Sequence, residues 1–172
     1  SRFDPERGRV LTHRQTVFAG LVVRETGARP SDDPEGVARA LYEHLRRDPA
    51  SLFEADEEVA RWLARVRFLR SVMPELGLPD FTDECLDDVL KEACAGAASV
   101  DQVRGAAILA HLENRLTWPQ RSALDQHAPK ALEVPSGNRI RLQYPADGPP
   151  VLAVRIQELF GLPENPRVAG GR

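Results

Sequence analysis

The sequence predicts an α+β protein in which a helical middle lies between two β-rich ends. Residues 34–127 repeat apolar side chains at helical spacing, whereas both ends alternate apolar and polar residues and are enriched in β-branched ones. The pattern is interrupted at residues 27–34 and again at Pro129. We therefore expect an N-terminal strand pair, a central bundle of about five helices, and a C-terminal β-hairpin followed by a strand and a short helix.

The N-terminal strand pair is predicted from two β-branched runs, residues 9–12 and 16–23. Gly8 and residues 13–15 separate apolar segments and are predicted as turns. An isolated two-stranded hairpin is marginal in water, so this pair must pack on further strands or on a helix.

The first two helices of the middle have clear start and stop signals. An Asp N-cap precedes Pro34, which suits the first turn of a helix over residues 34–47. The second helix begins near Ala55 and ends before Pro74, and its apolar stripe is the strongest periodic signal in the chain.

Three further helices are expected before residue 130. One begins at the N-cap Thr82, and the next begins at Ser99 with Val103 and several alanines inward, namely Ala106, Ala107 and Ala110. A short fifth helix follows Thr117 and ends at residues 127–129.

After Pro129 the alternating pattern predicts strands over residues 132–134 and 139–144. The turn between them contains Gly137 and Asn138, which tolerate positive φ. Residues 151–154 are predicted as a further strand, and residues 155–160 as a helical turn.

Composition places the chain among ordinary globular proteins, with 172 residues, 42% hydrophobic and 28% charged. No run of 18 apolar residues predicts a membrane span, and the N-terminus lacks the apolar core of a signal peptide. Cys85 and Cys94 are too few for a disulfide framework, which favours a reducing cytoplasm. They are expected to be buried apolar groups rather than a metal pair, because their spacing on a helix places them on opposite faces.

Charge is distributed unevenly along a chain whose net charge is −3. Residues 1–30 have six Arg against three acidic residues, and residues 131–172 have five Arg against four. Residues 31–130 instead have twelve basic residues against nineteen acidic ones. Because phosphate contacts dominate nucleic-acid affinity, a strand should meet the ends before the middle. The alternative is that the arginines reflect coding bias alone.

Three motifs follow one another near the C-terminus: VPSGNRI, PPVLAVRIQELFGL and PRVAGGR. In this order they resemble the C-terminal region of HrpB-type ATP-dependent helicases, a bacterial branch of the DEAH-box RNA helicases. Three earlier segments fit the same family more loosely: FDPERGRVLTHRQTVFAGLVVRE, RWLARVRFLR and LTWPQRSALDQHAP. The resemblance therefore covers nearly the whole chain.

The resemblance implies a three-part organisation. Residues 1–30 would be the tail of an oligonucleotide-binding-fold-like region, residues 31–130 a helical domain, and residues 131–172 the HrpB-type C-terminal subdomain, truncated before a final strand. It also implies that ATP and Mg²⁺ are bound upstream, in paired RecA-like domains. Here neither Lys91 nor Lys130 follows a Gly-rich phosphate loop, so we expect no catalytic residue, cofactor or metal in this chain and no independent hydrolase activity.

The candidate nucleic-acid residues lie in the basic ends: Arg7, Arg9, Arg14, Arg139, Arg141 and Tyr144. Arg139 and Arg141 are two apart in a strand and should point to one face, where their forked donors suit phosphate. Tyr144 could stack on a base. The alternative is that this strand face only solvates an edge or pairs with Glu133.

The arginines of the second helix and an apolar cluster near the C-terminus are two further candidates for an interaction surface. On the second helix, Arg61, Arg65, Arg67 and Arg70 are expected to lay their stems along the core edge with the charged heads in water, rather than to form one basic face. Near the C-terminus, Ile156, Leu159 and Phe160 form an apolar cluster that either caps the terminal core or provides an interaction surface for the upstream helicase core.

Two functions follow from these patterns. The chain is expected to be an accessory C-terminal part of an HrpB-like ATP-dependent RNA helicase, contributing contact with single-stranded RNA or regulation of the ATPase core. The alternative is a protein–protein docking module that binds no nucleic acid. Steep salt dependence of RNA binding would separate the two.

Overall fold

The computed structural model describes residues 1–18, 21–153 and 168–169. In this part of the chain there are six α-helices and two antiparallel sheets of three strands each, so the predicted α+β class is confirmed. The chain divides into two compact units. One comprises residues 1–59 with 82–112, and the other comprises residues 60–81 with 113–172.

The helices have the following bounds: α1 Pro34–Leu45, α2 Ala50–Phe53, α3 Glu57–Val72, α4 Asp83–Cys94, α5 Ala106–Glu113 and α6 Trp118–His127. Four of the five predicted helices are present as single helices, the predicted fourth is broken, and the four-residue α2 was not predicted. Residues 57–59 of α3 belong to the first unit and the rest of that helix to the second, while Glu113 is the only residue of α5 in the second unit.

The first unit contains a sheet of three strands: β1 Arg2–Asp4, β2 Arg9–Phe18 and β3 Leu21–Ala28, in that order. Residues 13–15 lie within β2 and are not the predicted turn, because His13 pairs with Gly27 and Gln15 with Glu25 across the ladder. Backbone N–H and C=O groups form this pairing, so the polar side chains of residues 13–15 do not interrupt the strand. The sheet has three strands instead of the predicted pair, because β1 is added and the predicted strand 16–23 is divided between the end of β2 and the start of β3, with residues 19–20 outside the described ones.

Helix starts in the first unit carry the predicted caps. The Asp33 carboxylate accepts a hydrogen bond from the Gly36 amide at 3.0 Å, and the Thr82 hydroxyl accepts one from the Cys85 amide at 3.4 Å. α1 and α4 pack together through their apolar faces, on which the following side chains are buried: Val37, Leu41, Leu45, Leu86, Val89, Leu90 and Cys94. Capping and burial together fix both helices in place.

The predicted fourth helix is broken in the structure. A 3₁₀ turn at Val100–Gln102 is followed by Gly105, whose φ of 59° ends any continuous helix, and α5 begins only at Ala106. The break changes the phase of the helix. Ile108 and Leu112 are buried instead of the predicted alanines, although Val103 is buried as expected.

The second unit is built on the apolar stripe of α3. Trp62, Leu63, Val66 and Leu69 are all buried, as the periodicity predicts. The ring of Trp62 meets that of Phe81 edge-on, with centroids 5.4 Å apart. These contacts give the second unit a core of its own.

The second unit also contains the C-terminal sheet, with strands β4 Ala131–Glu133, β5 Arg139–Gln143 and β6 Val151–Leu152 in that order. The predicted turn between β4 and β5 is present. The Gly137 amide donates to the Val134 carbonyl at 2.8 Å, and Gly137 adopts a φ of 84° that favours glycine. The predicted helical turn at residues 155–160 lies outside the described residues.

Candidate nucleic-acid interface

Strand β5 presents two guanidinium groups on one face. Arg139 and Arg141 are exposed, whereas Ile140 is half-buried and Leu142 is buried between or beside them. This alternation follows from the two-residue period of a strand. The predicted shared face of the two arginines is therefore present, on the side of β5 that faces solvent.

The neighbouring strand adds one carboxylate to this face. Glu133 lies directly opposite Arg139 in the β4–β5 ladder, and Ala131 lies opposite Arg141. Among the described residues, Arg139 forms no ion pair. The exposed carboxylate of Glu133 still lowers the positive potential around Arg139, because residues directly opposite in a ladder lie on the same face. This face of the β4–β5 pair therefore presents two guanidinium groups and one carboxylate.

The N-terminal arginines do not form one surface. Arg7 lies in the turn before β2, with its Nε 3.8 Å from the Asp4 carboxylate. Arg9 and Arg14 are both in β2 but five residues apart, so their side chains point to opposite faces, about 17 Å apart along the strand. All three are exposed, yet a single phosphate chain could not meet them on one side of the sheet.

A shallow cavity of about 280 Å³ opens on the face of the N-terminal sheet that contains Arg9. It is lined by Arg2, Phe3, Asp4, Pro5, Leu11 and His13. The sequence patterns did not single it out, because the register that pairs Arg2 with Leu11 is a tertiary property. Its lining combines a guanidinium, an imidazole and a carboxylate, so its charges select neither an anion nor a cation.

Tyr144 is only 8% exposed and packs inside the second unit. Its hydroxyl donates to the Pro129 carbonyl at 2.7 Å, and its ring meets that of Phe68 with centroids 5.1 Å apart. Burial raises the pKa of the phenol to about 12. The predicted stacking of this ring on a base stays a prediction, and a base would have to displace these contacts to reach the ring.

Arg65 also departs from its predicted environment. Its side chain is only 3% exposed, and its Nε donates to the Ala128 carbonyl at 2.6 Å. The charged head is therefore inside the unit and not in water. Arg67 and Arg70 remain exposed, and Arg70 pairs with Asp80 at 3.0 Å. The helix offers no continuous basic face, in agreement with the prediction for its arginines as a group.

One residue that the sequence patterns left without a role is conspicuous in the structure. Trp118, at the first position of α6, is 79% exposed. Large aromatic side chains bury most of their surface in folded proteins, so this exposure is unusual. The only signal in the sequence was its position between the N-cap Thr117 and Pro119, at the start of a helix.

Comparison with known proteins shows what the chain is similar to. The family HrpB_C, described as ATP-dependent helicase C-terminal, matches residues 89–172. The ATP-dependent RNA helicase HrpB of Escherichia coli (strain K12) is 30% identical over 175 residues, which cover 99% of this chain. The chain contains an HrpB-type C-terminal region. The resemblance drawn from the C-terminal motifs is thereby confirmed.

Solved structures agree with the HrpB assignment. The crystal structure of the Escherichia coli DEAH/RHA helicase HrpB matches 99% of this chain with a TM-score of 0.70 and 30% identity. A second crystal structure, of the E. coli DExH-box NTPase HrpB, matches the same share with a TM-score of 0.71. The chain spans about a fifth of the length of these relatives, covering 21% of the curated protein and 22% of each crystallised chain.

Within the HrpB-type region, the segment matched by the family contains α6 and the whole C-terminal sheet. Arg139, Arg141 and Trp118 lie inside it, and the three N-terminal arginines lie before it. The apolar cluster of Ile156, Leu159 and Phe160 falls in the matched segment but outside the described residues. Its role as an interaction surface stays a prediction.

Over residues 1–18, 21–153 and 168–169, no group of three or more His, Cys, Asp or Glu side chains could hold a metal ion. Cys94 is buried there, which raises the pKa of its thiol to about 11. Over the same residues, no helix combines the length and apolar character needed to cross a bilayer.

Proposed function

We propose that this chain is the accessory C-terminal region of a longer ATP-dependent RNA helicase and that it contacts single-stranded RNA through Arg139 and Arg141. The observation that carries the proposal is the exposure of both guanidinium groups on one face of β5. ATP hydrolysis with Mg²⁺, acting in the cytoplasm, is proposed for the upstream core of the longer protein. This part of the proposal rests on the relatives, which are an ATP-dependent RNA helicase and a DExH-box NTPase.

The chemistry of the β5 face suits a phosphate chain. A guanidinium is always charged and presents forked donors that match phosphate oxygens, so it binds phosphate in a defined orientation. Two of them on one strand would hold successive phosphates without reading the bases, because phosphate contacts carry no sequence information. We therefore expect binding that tolerates many RNA sequences and depends on salt.

The test is fluorescence anisotropy of a labelled single-stranded RNA with the 172-residue chain and with the double variant Arg139→Gln/Arg141→Gln. Glutamine keeps most of the side-chain length and removes the charge. A charge-matched control is Arg39→Gln/Arg47→Gln, which changes two exposed arginines at α1 and just beyond its end. We expect the β5 variant to bind more weakly than both the unchanged chain and the control.

Two outcomes would contradict this function. Equal losses in the β5 variant and the control would mean that only net charge matters. Absence of RNA binding at low salt would favour the other function considered for this region, a docking module that contacts proteins and no nucleic acid.

A further inference from the structure

The exposed indole of Trp118 projects from an anchored helix start on the surface of the second unit. It occupies the first turn of α6, with Pro119 next to it. The helix start is fastened by Gln120, whose side-chain oxygen accepts from the Thr117 amide at 3.0 Å. The Gln120 side-chain nitrogen also donates to the Gly77 carbonyl at 2.8 Å. The indole therefore projects from an anchored backbone.

A guanidinium shares this helix face. Arg121 follows Trp118 by three residues, the spacing that makes side chains neighbours on a helix. Arg121 is exposed, and its Nε donates to the Leu116 carbonyl at 3.1 Å while a terminal nitrogen donates to the Asn114 side-chain oxygen at 3.2 Å. These bonds orient its plane and leave its charge at the surface.

The surroundings of Trp118 favour a nucleic acid over a protein as the ligand. Protein interfaces need an apolar centre, and a standard one buries about 800 Å² on each partner. Among the described residues the other large exposed apolar side chains are Val22 and Val151, neither of them in α6. Asn114, Thr117 and Ser122, close to Trp118 in sequence, are exposed and polar. A single exposed indole among polar side chains is too small to be the apolar centre of a protein interface, but it matches the size of one nucleic-acid base.

We propose that Trp118 is a stacking site for one unpaired base of single-stranded RNA, with Arg121 contacting the adjacent phosphate. Every base has an aromatic face, so an indole ring binds bases of any sequence. This inference rests on the proposed function, and it adds a contact with a base to the contacts that the β5 arginines make with phosphate. Both sites lie in the second unit.

The first test compares oligouridine binding by the 172-residue chain and by Trp118→Ala, Trp118→Phe and Ser122→Ala. Loss of one stacked base weakens binding by about five- to 150-fold, which we expect for Trp118→Ala. Trp118→Phe keeps an aromatic face and should recover most of the affinity. Ser122→Ala is the matched control on the same helix and should bind like the unchanged chain.

The second test uses tryptophan fluorescence and acrylamide. Trp62 is buried, so acrylamide quenching in the free chain reports mainly on Trp118. We expect oligouridine to protect Trp118 from quenching by acrylamide. Inorganic polyphosphate has the charge but no base, so Trp118 should remain accessible to acrylamide in its presence. Protection should persist in Arg139→Gln/Arg141→Gln at saturating oligouridine, so the stacking site and the β5 site fail separately.

Three results would overturn the stacking site. One is an affinity of Trp118→Ala within twofold of the unchanged chain, with the β5 variant still impaired. Another is equal protection of Trp118 by polyphosphate and oligouridine. The third is protection of Trp118 by the upstream helicase core and none by RNA, which would assign the indole to a protein contact.

Discussion

The guanidinium of Arg65 caps the last turn of α6, with its Nε 2.6 Å from the carbonyl oxygen of Ala128. A terminal nitrogen of the same group lies 3.3 Å from the Leu124 carbonyl and 2.8 Å from the Asp125 carboxylate. The last carbonyls of a helix have no partner within the helix. A buried cation from α3 satisfies the Ala128 carbonyl here and adds a second donor to the Leu124 carbonyl, which also accepts from the Ala128 amide at 3.0 Å. These bonds tie α3 to α6 within the second unit.

Replacing Arg65 with Met should destabilise the chain strongly. Methionine keeps the apolar stem but removes the donor from the buried Ala128 carbonyl, and an unsatisfied buried acceptor costs about 1–3 kcal/mol. Urea denaturation followed by circular dichroism measures the loss. Arg67→Met, at an exposed position of the same helix, is the control and should change the unfolding free energy by less than about 0.5 kcal/mol. Equal losses in the two variants would refute the capping role.

Protonation of Asp87 should lower the stability of the folded chain in acid. The Lys91 ammonium at 2.8 Å and the Tyr42 hydroxyl at 2.7 Å both donate to its carboxylate, and these bonds lower the pKa of Asp87. A lowered folded-state pKa means that the unfolded chain takes up the proton first. The stability from Asp87 is therefore complete above its unfolded pKa of about 3.9 and is lost as the pH falls through the folded value.

The variant Asp87→Asn tests this link between α1 and α4. We expect it to lower stability at pH 7 and to reduce the further loss between pH 5 and pH 2 in urea titrations. Asp101→Asn, at an exposed position, should show the acid dependence of the unchanged chain. An unchanged acid dependence in Asp87→Asn would contradict the assignment.

Tyr144 should titrate only in strongly alkaline solution. Burial raises the pKa of its phenol to about 12, and the Asp87 carboxylate raises that of the chain's other tyrosine, Tyr42. Absorbance at 295 nm should therefore show little tyrosinate at pH 10 in the folded chain and about half in urea. Because the folded state keeps the proton, stability from Tyr144 is complete below pH 10 and falls as the pH rises.

The variant Tyr144→Phe separates packing from nucleic-acid contact. It removes the hydrogen bond to Pro129, which should cost about 0.5–1.5 kcal/mol of unfolding free energy. RNA affinity should stay the same, because the ring faces the interior of the unit. A large loss of RNA affinity in a variant that is folded would restore the role in stacking predicted from the sequence.

Local signals predicted most of the helices and the β4–β5 hairpin. Periodicity over α3, the caps at Asp33 and Thr82, and the turn at Gly137 are all decided within a few residues of chain. The face shared by Arg139 and Arg141 follows from the period of a strand in the same way.

The remaining features depend on contacts between distant parts of the chain. The continuity of β2 through His13 is decided by pairing with β3, and the burial of Arg65 by carbonyls about 60 residues away. Gly105 breaks the predicted fourth helix, and the small alanine side chains that follow fit either the buried or the exposed side of a helix. The exposure of Trp118 likewise depends on whether distant parts of the chain pack over its ring, and a local sequence pattern does not contain that information.

The most direct test of the β5 site is the salt dependence of its RNA binding. For single strands the slope of log K against log salt is about −0.7 per phosphate neutralised, so Arg139→Gln/Arg141→Gln should make the slope shallower by about 1.4. The Arg39→Gln/Arg47→Gln control should keep the slope of the unchanged chain. A slope that is the same in all three proteins would contradict direct contact of Arg139 and Arg141 with the phosphates.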